Sequence, residues 1–152
     1  MAVRIVRLGT PRARSEGTRL GTVRRPPRGV ARADYASRNY FDLWLPELAP
    51  SAKLVTLALA TPYTAARWTR FARGYRREMR EAAPRRLIEL LALFSHRANF
   101  SVGCYCERED RCHRSILRKL LAENGARVAP ARDAAPTPRP RPRRASNTPH
   151  QG

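Results

Sequence analysis

The stretch Phe100-Ser-Val-Gly-Cys104-Tyr-Cys106-Glu-Arg-Glu-Asp-Arg-Cys112-His113-Arg114-Ser-Ile-Leu117 gathers every cysteine of the chain and closes on a Cys-His-Arg triplet. Phe100 to Cys106 alternates with period two, while Ile116, Leu117, Leu120 and Leu121 recur at helical spacing between Cys112 and Asn124. The segment therefore reads strand, polar loop, helix. In that layout Cys104 and Cys106 share one face of the strand, with Tyr105 on the other. The first helical turn, with its free N–H groups and partial positive charge, points at whatever lies beyond the strand end. An anion is the expected guest.

Working outward, Arg4 to Leu8 and Leu20 to Arg24 are short apolar-basic runs closed by Gly9-Thr-Pro and Arg25-Pro-Pro-Arg-Gly29, and both read as strands ended by turns. Tyr35 to Pro50 is aromatic-rich without a clean period and is expected to be irregular, packed chain. Ser51 caps a short helix to about Leu59. Thr64 to Glu81 forms a longer one with Trp68, Phe71, Tyr75 and Met79 on a core-facing stripe. Pro84 suits a third helix start, with an apolar face at Leu87, Leu90, Leu91 and Phe94. Asn124-Gly125 caps the last helix, and Arg127 to Ala129 can add a final strand. Alternation of strand and helix predicts a small three-layer α/β domain with a largely parallel sheet over residues 1–129. Residues 130–152, rich in proline and arginine, are expected to be a disordered basic tail.

No apolar run reaches the roughly 18 residues that span a bilayer, and the N-terminus lacks the hydrophobic core of a secretion signal, so a cytoplasmic protein without membrane association is expected. Three cysteines within nine positions cannot staple distant parts of a fold, which suits a reducing compartment. The net charge of +19 attracts phosphate-bearing partners, nucleic acid among them. Of the 31 basic residues only Lys53 and Lys119 are lysine, a bias that genome composition also produces.

Three chemistries compete for the Cys-His-Arg segment. Its helix start, with His113 and Arg114 and with Arg24, Arg25 and Arg28 from the turn after the second strand, can cradle a phosphate or carboxylate, since guanidinium groups grip such anions two-pronged. Alternatively Cys112 or Cys106 is a low-pKa nucleophile for redox or transfer chemistry, with Glu107 as a candidate general base. A zinc-stabilised domain using Cys104, Cys106, Cys112 and His113 is the third reading. The one-residue and zero-residue gaps within its ligand pairs are unlike the usual zinc knuckle, so no metal and no cofactor is expected.

Several separated motifs, taken together, resemble the domain-of-unknown-function 488 family, YeaO-like branch. They are Cys104-Tyr-Cys-Glu-Arg-Glu-Asp-Arg-Cys-His-Arg-Ser-Ile-Leu117, Val23-Arg24 followed by prolines, Asp42-Leu-Trp-Leu-Pro-Glu-Leu-Ala-Pro-Ser51, and Trp68-Thr-Arg-Phe-Ala-Arg-Gly-Tyr-Arg-Arg-Glu-Met79. The resemblance spans roughly residues 3 to 128. It implies a small α/β domain with the Cys-His-Arg turn at a strand end, an arginine of the second strand nearby, and no established activity. Many relatives carry an aspartate two residues before the arginine matching Arg24, where this chain has Thr22.

Overall fold

The computed structural model describes residues 1–131; the proline- and arginine-rich segment expected to form a tail lies almost wholly outside the described residues. Four strands, β1 (Val3–Arg7), β2 (Thr18–Gly21), β3 (Leu43–Trp44) and β4 (Phe100–Cys104), form one parallel sheet in the order β1-β4-β2-β3. Four helices follow the expected spans: α1 (Ala52–Leu59), α2 (Ala65–Glu78), α3 (Ala82–Phe94) and α4 (His113–Glu123). The domain is α/β, as the alternation predicts.

The helix starts obey their local chemistry. Ser51 accepts from Leu54 N–H and Thr64 from Arg67 N–H, each satisfying a backbone donor that the first turn leaves free. Phe71, Tyr75 and Met79 of the α2 stripe are buried with Ile88, Leu91, Ile116, Leu117 and Leu121 against Val3, Leu20, Phe100 and Val102 of the sheet. Gly125 takes the left-handed conformation after α4, φ 83°, and its N–H donates to Ala122 O.

Three details differ from the sequence reading. The core face of α3 is turned relative to the expected one: Pro84, Ile88, Leu91 and Ala92 are buried, whereas Leu90 and Phe94 are exposed. Both alternatives fit a helical period, and packing beneath α4 selects between them. The irregular segment contains β3, two residues long, which pairs with β2 and had no periodic signal. The final strand is reduced to one bridge, Val3 to Val128.

Irregular chain rather than helix covers part of the sheet. Arg19 of β2, fully buried, donates to both carboxylate oxygens of Glu16 at 2.6 and 3.0 Å and to the carbonyls of Thr10 and Asn39. Glu16 also accepts from Ser101 Oγ and Ala13 N–H. Burial opposes its ionisation, but these hydrogen bonds outweigh burial and hold its carboxyl below the usual value. The pair ties the loop after β1 and the loop before β3 to the sheet. Both loops lie beside the strand ends that carry the cysteines.

Candidate functional site

β4 ends at Cys104, Tyr105 and Cys106 leave the sheet, and a three-residue 3-10 turn at Glu109–Arg111 brings the chain back so that Cys112 stands at the N-cap of α4. Close packing at the strand demands Gly103, where a Cβ would meet Leu8 Cδ2 at 2.5 Å. The three sulfurs converge: Sγ atoms of Cys104, Cys106 and Cys112 all lie within 4.8 Å of one another, and Cys104 Sγ is 3.7 Å from Cys106 Sγ. Cys104 and Cys112 are buried and Cys106 is exposed. None is in a disulfide.

The neighbours of the cluster fix its protons. His113 Nε2 faces the carbonyl oxygen of Thr22 at 2.8 Å, so that nitrogen carries the hydrogen and Nδ1 is left as an acceptor 3.7 Å from Cys112 Sγ. The ring is buried edge-on to Tyr75, and burial lowers its pKa to about 4. It is a neutral imidazole at neutral pH. Thr22 Oγ1 donates to Gly103 O and lies 3.3 Å from the same imidazole nitrogen, so an uncharged hydroxyl faces the ring.

Cys106 is held well below an ordinary thiol, first by hydrogen bonding from Cys104 and then from Cys112; burial opposes this, and the positive charge of Arg114 adds to it. Cys104 is correspondingly raised, above all because its thiol hydrogen-bonds to Cys106. Cys112 is pushed up to about 11: its hydrogen bond with Cys104 lowers it, and the hydrogen bond with Cys106 together with burial outweighs that. Hydrogen bonding and burial thus favour the charge on the exposed sulfur and the protons on its two buried neighbours.

The cluster opens on a cavity of about 450 Å³ between α1 and the ends of β2 and β4, walled by Val23, Pro50, Val55, Leu59, Phe71 and Tyr105. Arg24, Arg25 and Arg111 border it, as does His113. Arg24 is anchored, with Nε donating to Pro50 O and one terminal nitrogen to Pro46 O and Ala49 O, so it chiefly closes the 3-10 turn Pro46–Leu48. Arg28, exposed, lines a different cavity with Arg25, Tyr40 and Tyr105. Arg114 and Glu107 line yet another, beside β1. The expected anion cradle is thus divided: His113, Arg24 and Arg25 border the thiol cavity, Arg28 and Arg114 do not.

Arg114 is 2 % exposed and has no carboxylate partner among the described residues; one terminal nitrogen donates to Cys106 O at 2.6 Å. Glu107, though adjacent to Cys106 in sequence, is exposed on the side away from the sulfurs' cavity. As a donor set for a metal, the cluster offers three sulfurs and, among the described residues, no fourth protein ligand grouped with them. A closed structural zinc site requires four. Two contributors were not singled out from sequence. Arg111 stacks over Tyr63 at 4.0 Å at the cavity border, and Thr22 fixes the histidine tautomer. Position 22 had a signal only in the aspartate that the resemblance implies there, whereas Arg111 had none beyond its place next to Cys112.

A parallel α/β sheet whose central strand delivers a thiol cluster to the start of a helix defines the class of domain. The match to a family model specifies it: residues 3–125 fit the active DUF488-N3 subclade, and the chain belongs to that branch of the domain-of-unknown-function 488 family. No curated protein and no solved structure matches the chain. Among the described residues no helix is long and apolar enough to cross a membrane.

Proposed function

We propose that this protein is a thiol-dependent group-transfer enzyme whose nucleophile is Cys106. The observation that carries the reading is the convergence of three sulfurs in which the exposed one, facing an apolar cavity, is flanked by two buried thiols able to donate to it. A buried guanidinium without a carboxylate partner among the described residues favours an anion nearby, and a Cys106 thiolate suits that need. The name of the family branch, active, agrees with a reactive site.

In this reading the Cys106 sulfur attacks an electrophilic carbon of a substrate held in the cavity. A carbon–sulfur bond forms, the bond from that carbon to its leaving group breaks, and the leaving group departs with the electron pair and takes a proton from the Cys104 thiol. Water or an acceptor hydroxyl then attacks the same carbon, returns the proton to Cys104 and releases Cys106 as thiolate. Cys104 is the proton donor because its thiol donates towards the Cys106 sulfur at 3.7 Å, and it becomes more acidic once that sulfur has lost its charge to the new carbon–sulfur bond. His113 is a positioning residue, orienting Cys112 through Nδ1 while anchored on Thr22.

The test is alkylation of Cys106 by iodoacetamide at about pH 6, mapped by mass spectrometry, in folded and in urea-unfolded protein. An unperturbed thiol near pKa 8.5 is less than about 1 % ionised there. Repeated at about pH 7, the unfolded chain is expected to react about tenfold faster than at pH 6, whereas the folded site, already ionised, is expected to keep a level rate. A folded-state rate that rises in parallel with the unfolded one would reject the nucleophile.

A further inference from the structure

We propose that the groove beside β1, on the far side of the Tyr105–Cys106 segment from the thiol cavity, is a discrete phosphate-binding site. It measures about 520 Å³ and is lined by Arg4, Arg7, Arg19, Arg108 and Arg114 together with Glu16, Glu107 and Glu109. The balance of free charge among these decides what the groove takes. Glu16 is committed to Arg19, Glu109 to Arg118 through two bonds, and Arg108 to Asp110. Three guanidinium groups, those of Arg4, Arg7 and Arg114, are left facing one exposed carboxylate, Glu107.

Among the described residues the three have only neutral partners. Arg4 donates to Ser15 Oγ at 3.2 Å, Arg7 Nε to Tyr105 O at 3.3 Å, and Arg114 to Cys106 O. Arg114 is 2 % exposed, and its Nε has no hydrogen-bond partner among those residues. A buried, incompletely bonded cation is costly unless an anion offsets it. Arg4 and Arg7 are the groups accessible to a ligand, and Arg114 adds its positive charge to the same lining. Two or three guanidinium groups lining one groove suit the several acceptor oxygens and double charge of a phosphate better than a single carboxylate.

The site shares Arg114 with the thiol reading, but its accessible groups, Arg4 and Arg7, line no part of the thiol cavity, and binding does not require the nucleophile. The experiment is isothermal titration of the full chain with inorganic pyrophosphate at constant ionic strength, so that screening is the same at every point. One equivalent is expected to bind, and Arg4→Gln and Arg7→Gln are each expected to weaken binding about tenfold, the loss of one charge-assisted hydrogen bond. Arg28→Gln and Arg73→Gln, exposed and away from the groove, are expected to leave it unchanged within about twofold, the scale of screened surface charge. Cys106→Ser protein is expected to bind as well as the unaltered chain, which separates this inference from the fate of the thiol reading. Absence of stoichiometric binding, or equal weakening by the groove variants and the distant ones, overturns the site in favour of diffuse attraction to a basic protein.

Discussion

His113 makes the fold acid-sensitive in a way that can be isolated. Burial lowers its pKa from 6.5 to about 4. A base depressed in the folded state stays neutral there while the unfolded chain binds a proton, so its contribution is intact above pH 6.5 and drains away as pH falls towards 4. The full shift is worth about 3 kcal/mol, and about 2 kcal/mol of it is already lost near pH 5. Glu16 has its carboxyl held below the usual value, and it is common to both proteins compared. The perturbation is His113→Gln, whose amide can still donate to Thr22 O but does not titrate. Urea unfolding is followed from about pH 7.5 to pH 5. The unaltered protein is expected to lose about 2 kcal/mol more than the variant over that range. Parallel pH dependences in the two proteins would refute a buried neutral imidazole, and with it the tautomer that places Nδ1 against Cys112.

Arg19→Met strands the buried Glu16 carboxylate and the carbonyls of Thr10 and Asn39, and should lower unfolding stability by about 3–5 kcal/mol. Adding Glu16→Leu should recover part of that loss in the same urea titration, and no recovery would count against an uncompensated charge. Overnight EDTA treatment should leave the melting temperature within about 1 °C, because a structural metal would contribute far more than the roughly 0.3 kcal/mol such a shift represents. A large fall on chelation, reversed by zinc, would make the thiols a structural centre instead.

Much of the fold was legible because its signals are local. Ser51 and Thr64 announce helix starts through their own side chains, the spacing of Ile116, Leu117 and Leu121 gives α4 its buried face, and Asn124-Gly125 marks its end. What depended on tertiary context was not legible. Leu90 and Phe94 fit a helical stripe as well as Ile88 and Ala92 do, and only the packing partner decides between them. The same holds for the site. Cys104 and Cys106 were placed on one face by strand alternation, but the return of Cys112 to within 4.8 Å depends on the 3-10 turn at Glu109–Arg111. Arg114 follows His113 directly, yet successive helix positions are rotated by about 100°. That rotation puts His113 on the thiol cavity and Arg114 on the groove beside β1, a separation that adjacency in sequence conceals.

The most direct measurement is the thiolate ultraviolet absorbance of the folded protein as pH is lowered from about 8 to about 5, compared with Cys106→Ser. The account expects one thiolate per chain to persist to about pH 5 and to be missing from the variant, since an ordinary thiol would already be protonated there. Loss of the signal with a midpoint near the ordinary thiol value of about 8.5, or its persistence in Cys106→Ser, would contradict it.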